Sequence, residues 1–176
     1  REVTAATLKA RLKRKAKAPP KARLQKGCRL WAMVSFAIET AMRRGEMVNL
    51  RWSHVHLRQE YLELPGPITK NRKPRIVPLT TRALRILATQ PHSGEFVFDT
   101  NANTVKLAFK RARECVGSED LRVHDLRHEG TSRLFEMTDL RANEIGHVTG
   151  HTDPRMLERY YNKRPGEFVE RFRSFK

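Results

Sequence analysis

The stretch His124-Asp125-Leu126-Arg127-His128, followed by Thr149-Gly150-His151 and then by Tyr160, is the most informative part of this chain. If residues 124–137 form a helix, His124 and Arg127 project from one face, because residues three apart are neighbours on a helix surface. A Gly turn precedes His151, and Tyr160 lies nine residues beyond it. The His124 and Arg127 side chains can therefore converge on one phosphate group, although this pair alone is common in proteins.

A second cluster of polar residues lies upstream, where Glu39 to Glu46 read Glu-Thr-Ala-Met-Arg-Arg-Gly-Glu. Apolar residues from Leu30 to Ala41 predict a buried helix that ends near Gly45, and another helical turn follows. Arg43 therefore lies at a helix junction, with the carboxylate of Glu46 three residues on.

The remaining pattern predicts a mainly α chain with a small antiparallel β-sheet, an α+β class. Short strands are expected around 55–64 and 75–79, with Lys70 in or beside the last hairpin. Helices are expected at about 80–89, 102–116, 124–137, 139–147 and 153–160, with N-caps at Thr80 or Thr81 and at Asn101 or Asn103.

Charge and composition narrow the class of function. The 176 residues include 36 Lys and Arg against 19 Asp and Glu, a net charge of +17. Such an excess indicates a polyanionic partner, above all nucleic acid, although basic ribosomal and membrane-surface proteins share it. Two separated cysteines predict neither a disulfide framework nor a zinc ribbon. The chain lacks a long apolar run and a signal peptide, so we expect a cytoplasmic protein.

Metal-free cleavage of a DNA phosphodiester needs a nucleophile, an acceptor for its proton, a proton donor for the leaving oxygen and fixed positive charge around the transition state. The sequence offers a candidate for each need. The chain resembles the tyrosine recombinase (phage integrase) family, whose motifs occur in the same order along the chain. The motifs that carry the resemblance are Thr40-Ala41-Met42-Arg43-Arg44-Gly45-Glu46, a hairpin Lys, His124-x-x-Arg127, Gly150-His151 and Tyr160.

The resemblance implies roles for the cationic residues. Arg43, Arg127 and His151 would bind the non-bridging oxygens of the scissile phosphate, as bidentate guanidinium groups suit. Lys70 would protonate the departing 5′-oxygen, with Lys73 as the rival for that role.

The resemblance also implies how the nucleophile works. Tyr160 would attack and form a 3′-phosphotyrosine intermediate, with His124 accepting its proton. Glu46 would orient the neighbourhood of Arg43 and His124 without touching DNA, and it also suits the positive end of a helix. Tyr161 is the rival nucleophile, but the nine-residue step from His151 favours Tyr160.

Two features of the sequence depart from the family pattern or invite another reading. Ala41-Met42 stands where Gly-Leu is usual, and Ile145-Gly146-His147 duplicates the Gly-His motif, so that His147 is interpreted as structural. The pairs His124/His128 and His147/His151 have the i, i+4 spacing of helical zinc sites, but no third ligand is evident. We therefore expect no metal and no cofactor.

The predicted function is site-specific DNA recombination or integration without metal or ATP. A type IB topoisomerase shares this chemistry, and a non-catalytic DNA-binding module would share the charge but would not need these residues together. The expected partners are double-stranded DNA and three further protomers on paired sites. Residues 1–27 are expected to form a basic N-terminal helix or linker and 28–176 the catalytic domain, in a fragment that lacks the core-binding domain and comes from a bacterial cell, phage or mobile element.

The tail is expected to pack on a neighbouring protomer or to cover its own core. Its apolar residues are Phe168, Val169, Phe172 and Phe175.

Overall fold

The computed structural model describes residues 21–160, with side chains from residue 29, and residue 173. Its helices are α1 (Lys21–Thr40), α2 (Arg44–Val48), α3 (Thr81–Ala88), α4 (Ala102–Cys115), α5 (Val123–Met137), α6 (Ala142–Thr149) and α7 (Arg155–Glu158). Its strands are β1 (Val55–His56), β2 (Tyr61–Leu64) and β3 (Arg75–Pro78), and 3-10 turns occupy Trp52–His54 and Gly66–Ile68. None of the described helices is both long and apolar enough to cross a membrane.

The sheet is antiparallel with the order β1-β2-β3, as the sequence predicts. Leu62 pairs with Val77 and Leu64 with Arg75. Side chains alternate between the two faces of a strand, so Leu62 and Leu64 are buried while Glu63 between them is exposed. The same period places Arg75 on the face of the buried Val77, which turns a cationic side chain toward the protein interior.

Helices α1 and α5 form the centre of the fold, with Phe36 and Leu126 among the buried residues. Gly130 of α5 lies against α1 so closely that a Cβ there would be 2.6 Å from the carbonyl oxygen of Ile38. The contact is between two backbones, and only glycine fits it. Arg43 follows the end of α1, and Arg127 lies one turn before Gly130 on α5.

The helix boundaries agree with the sequence in most places. The predicted N-caps are confirmed at Thr80, whose hydroxyl accepts from the amide of Ala83, and at Asn101, whose side chain accepts from Thr104. Helix α6 begins at Ala142 rather than near 139, because the Glu144 carboxylate accepts from the amide of Arg141 at 2.6 Å and fixes the first turn there.

Two predictions about the ends of the chain fall partly or wholly outside the described residues. Helix α1 is continuous from Lys21, so it runs across the boundary expected at residue 27. Residues 1–20 and the tail with Phe168, Val169, Phe172 and Phe175 lie outside the described part.

Candidate active site

The junction between α1 and α2 places Arg43 as the sequence predicts. Arg43 is the N-cap of α2, and Glu46 at the third helical position accepts from its backbone amide at 2.8 Å and from its guanidinium at 3.1 Å. The guanidinium also donates to the carbonyl oxygen of Gly150, at 3.1 Å. These bonds hold Arg43 against the turn that precedes His151.

Arg75 completes this ion-pair network. Its two terminal nitrogens donate to both oxygens of Glu46, at 2.9 and 2.7 Å, and its Nε donates to the carbonyl oxygen of Val148, at 3.0 Å. Both side chains are buried, with 6% of Arg75 and 2% of Glu46 exposed. Burial alone raises the pKa of a carboxyl group, but the hydrogen bonds and charges of Arg75 and Arg43 outweigh it and hold the pKa of Glu46 below its usual value.

The end of α6 sets the position of His151. Gly150 adopts the left-handed conformation, with φ of 72°, and the amides of Gly150 and His151 both donate to the carbonyl oxygen of Gly146. A Cβ on Gly150 would lie 3.1 Å from the Arg75 guanidinium, so the turn and the ion-pair network are in contact.

The hydrogen bonds of His151 determine which ring nitrogen carries the proton. The Thr149 hydroxyl donates to the carbonyl oxygen of Ile145, so it accepts from Nδ1 of His151, at 2.7 Å. Nε2 then accepts from the Arg127 guanidinium, at 3.1 Å, because a guanidinium group can only donate. Burial, followed by the charges of Arg127 and Arg43, lowers the pKa of His151 to about 4, so the ring is neutral at neutral pH.

Arg127 is 3% exposed and joins α5 to the end of α1. It donates to the carbonyl oxygen of Ala41, at 2.6 Å. Ala41 has a φ of 50°, in the left-handed region that costs a non-glycine residue about 1 kcal/mol, which gives a structural reason for the Gly usual here. Burial, with a contribution from the Arg43 charge, lowers the pKa of Arg127 to about 9, so the group remains charged at neutral pH.

The Tyr160 hydroxyl lies against Nδ1 of His128. The ring of Tyr160 is nearly parallel to that of Phe135, with centroids 6.3 Å apart, and its centroid is 6.4 Å from that of His151. Arg159 lies over the Tyr160 ring, 5.0 Å from its centroid. The phenol is thereby held beside the cluster of Arg127 and His151.

Among the predicted catalytic residues, His124 and Lys70 are the two that are exposed on the surface. His124 is exposed, and its ring meets the edge of the His128 ring at 4.7 Å. Lys70 is exposed on the turn between Ile68 and β3, and that turn is held by the Thr69 hydroxyl, which lies 2.9 Å from the carbonyl oxygens of Gly66 and Lys73. In the described structure no contact joins Lys70 to the other predicted site residues.

A basic cleft adjoins these residues, with a volume of about 380 Å³. Helices α4 and α5 and the α1–α2 junction form its walls. Seven of its lining residues are Arg or Lys, and none of the lining residues in the described structure is acidic. A cleft with one sign of charge attracts a phosphate backbone. The seven are Arg43, Arg44, Lys106, Lys110, Arg113, Arg122 and Arg127.

Sequence reasoning missed two residues that contact the predicted site. Arg75 is 29 residues from Glu46 along the chain, yet its place two residues before Val77 in an alternating strand was a signal that it points inward. His128 was considered only for a metal site with His124. Among residues 29–160 no group of three or more His, Cys, Asp or Glu is placed to hold a metal ion.

Comparison with known proteins identifies the family. The profile of the Phage integrase family matches residues 12–167, most of the chain. The chain therefore belongs to the Phage integrase family, and the resemblance read from the motifs is confirmed. It is 41% identical over 150 residues to the Shufflon-specific DNA recombinase of Escherichia coli, a match that covers 84% of this chain and 38% of that protein.

Solved structures with little sequence identity share the fold. The XerH site-specific recombinase bound to difH substrate matches with a TM-score of 0.67 at 16% identity, over 98% of this chain and 53% of that one. A lambda integrase dimer bound to a COC' core site matches with a TM-score of 0.65 at 22% identity, over 92% and 48%. The fold is thus that of tyrosine recombinase catalytic domains, and this chain spans less than half the length of the curated relatives it matches.

Proposed function

We propose that this chain is the catalytic domain of a site-specific DNA recombinase that cuts and rejoins double-stranded DNA through Tyr160. The observation that carries the proposal is the convergence of Arg43, Arg127 and His151, from three separate elements, beside a phenol and a basic cleft. A purely structural cluster would not need Arg43 and Arg127 packed together, because their like charges disfavour it.

Arg43 and Arg127 would bind the non-bridging oxygens of the scissile phosphate and stabilise the charge that builds up during attack. His151 offers a lone pair to Arg127 in the DNA-free state, so to donate to phosphate it needs either uptake of a second proton or the other neutral tautomer, in which the Thr149 hydroxyl donates to Nδ1. The negative charge of a bound phosphodiester favours that proton uptake. The acceptor of the Tyr160 proton is one of the two histidines on one turn of α5, His124 or His128.

The reaction conserves bond energy. The Tyr160 oxygen forms a bond to phosphorus, the bond to the 5′-oxygen breaks, and the 5′-oxygen takes a proton from Lys70. A 5′-hydroxyl from another strand then reverses the step and restores Tyr160. The fixed charges of the protein stabilise the transition state, so the proposed cycle includes neither ATP nor a metal.

The proposal extends to partners and location. Four protomers on two DNA sites would exchange strands, and the DNA-bound recombinases of similar fold support a duplex partner. Curated relatives come from bacteria and a bacterial phage, which supports action inside a bacterial cell.

The test is a trapping assay on nicked duplexes, in which cleavage releases a short strand and prevents religation. We expect an SDS-resistant protein–DNA band in the presence of EDTA and without ATP. Peptide mass spectrometry should place the nucleotide on the peptide that contains Tyr160, attached through a 3′-phosphate. Firm binding to a site that the full-length protein recombines, with no adduct on that site, would contradict the proposal.

Lys70 can be tested separately from the other groups. In Lys70→Ala, we expect cleavage to slow by a factor of roughly 10²–10⁴, the usual contribution of a general acid. The loss should disappear when sulfur replaces the bridging 5′-oxygen, because a thiolate leaves without protonation. Lys73→Ala is the matched control and should cleave both substrates at wild-type rates. A sulfur rescue found in Lys73→Ala instead would transfer the role to Lys73.

A further inference from the structure

The second histidine of the His124-to-His128 pair is the one that meets the nucleophile. Its Nδ1 contacts the Tyr160 hydroxyl, and the two rings are 5.8 Å apart at 29°. His124 instead presents its ring to the edge of His128 and lines the basic cleft with Arg43 and Arg127. The geometry therefore separates the two histidines into one that faces the cleft and one that faces the phenol.

The surroundings of His128 determine the direction of its hydrogen bond. Nη2 of Arg159 lies 3.4 Å from the same Nδ1, and a guanidinium has no lone pair to offer. This arrangement favours an unprotonated Nδ1 that accepts from the Tyr160 hydroxyl. Burial and then the charge of Arg159 lower the pKa of His128, which keeps the ring neutral at neutral pH.

We infer that His128, rather than His124, accepts the Tyr160 proton during strand cleavage. The inference rests on the proposed function. As the bond from the Tyr160 oxygen to phosphorus forms, the phenol proton passes to Nδ1 of His128, and the bond to the 5′-oxygen breaks as that oxygen takes its proton from Lys70. In religation the imidazolium returns the proton to the departing phenolate. His124 faces the cleft as a neutral donor to phosphate.

The pH dependence follows from the groups around His128. These are His124, Asp125 and Arg127 on its own helix, Arg159 and Tyr160 after α7, and His151 after α6. Burial lowers the pKa of His128 first and the positive balance of these charges lowers it further, so the ring loses its proton below the usual pH for histidine. We expect the wild-type cleavage rate to rise with pH through an apparent pKa below 6.5 and then to level off.

The test compares His128→Asn, His124→Asn and the exposed His147→Asn in single-turnover cleavage of a trapping duplex. An Asn amide oxygen occupies nearly the place of Nδ1, so His128→Asn keeps an acceptor for the hydrogen bond but cannot take the proton. We expect at least a ~10²-fold loss at pH 7 for His128→Asn. The rise below pH 6.5 should be replaced by a rise above pH 8, where hydroxide removes the proton. His147→Asn should cleave at the wild-type rate.

A more acidic phenol gives a readout that a packing defect does not change. Replacing Tyr160 with 3,5-difluorotyrosine should restore at least ~10-fold of the rate lost in His128→Asn, because such a phenol needs less help from a base. A wild-type rate in His128→Asn, an equal loss with the fluorinated phenol, or a transfer of the pH effect to His124→Asn would overturn the inference.

A measurement without DNA separates this inference from the proposed function. The ¹⁵N spectrum of His128 should show an unprotonated Nδ1 at pH 7, and its signal should shift in Tyr160→Phe. For the cleavage assay, His128→Gln provides a second variant if His128→Asn does not fold. A protonated Nδ1 overturns the inference whatever the cleavage assay gives. An absent wild-type adduct with the expected spectrum overturns the proposed function and the proton transfer, but leaves the hydrogen bond established.

Discussion

Tyr160→Phe is expected to abolish the covalent protein–DNA adduct and to leave DNA binding unchanged. The change removes one oxygen and keeps the ring that packs beside Phe135 and under Arg159, so the fold should be retained. Loss of a covalent nucleophile reduces turnover by a factor on the order of 10⁴ or more in other enzymes, which puts the adduct below detection. The measurement is the trapping assay with matched binding by gel shift.

The neighbouring tyrosine provides the control. Tyr161→Phe should form the adduct at the wild-type rate, because the sequence step from His151 favours Tyr160. An adduct that persists in Tyr160→Phe and disappears in Tyr161→Phe would move the nucleophile by one residue. Relaxation of supercoiled plasmid without strand exchange would favour a topoisomerase.

Glu46→Gln is expected to lower the free energy of unfolding by about 3–5 kcal/mol at neutral pH, the usual cost of removing one partner of a buried ion pair. The neutral amide leaves Arg75 and Arg43 facing each other without a counter-charge. Because the folded pKa of Glu46 is depressed, its contribution is present above the unfolded pKa of about 4.5 and is lost as pH falls through the folded value. Urea unfolding at pH 7 and at steps below 4.5 measures both effects.

The exposed Glu63 is the control for this comparison, since 62% of its side chain is exposed. Glu63→Gln should change the free energy of unfolding by less than ~0.5 kcal/mol. A difference between wild type and Glu46→Gln that stays constant down to the lowest pH at which the chain folds would contradict the assigned role of the carboxylate.

The sequence correctly predicted the positions of those site residues that are set by local structure. Arg43 lies at a helix junction, and His151 follows a glycine turn, because helix ends and turns leave signals in neighbouring residues. The fold class was confirmed for the same reason, since the periods of strands and helices are local. The catalytic role of each residue stays a prediction, Lys70 above all, because it lies outside the contact cluster of the described structure.

The sequence alone could not predict the contacts between distant segments of the chain. Arg75 on β3 reaches Glu46 on α2, 29 residues away along the chain, and the Tyr160 hydroxyl meets His128 rather than His124, 32 residues away. The strand alternation signals that Arg75 points inward, but nothing local in the sequence names its partner or distinguishes His128 from His124. Their importance comes from tertiary geometry, which single-sequence patterns do not encode.

The backbone contact at Gly130 has a consequence for redesign. At Gly130 main-chain atoms of Ile38 and Ala41 limit how closely α5 approaches α1, so this contact helps to set the spacing between Arg43 and Arg127. Substitutions of similar volume at Phe36 and Leu126 are expected to change that spacing little. One added methyl group at position 130 would push the helices apart and widen the space offered to a phosphate.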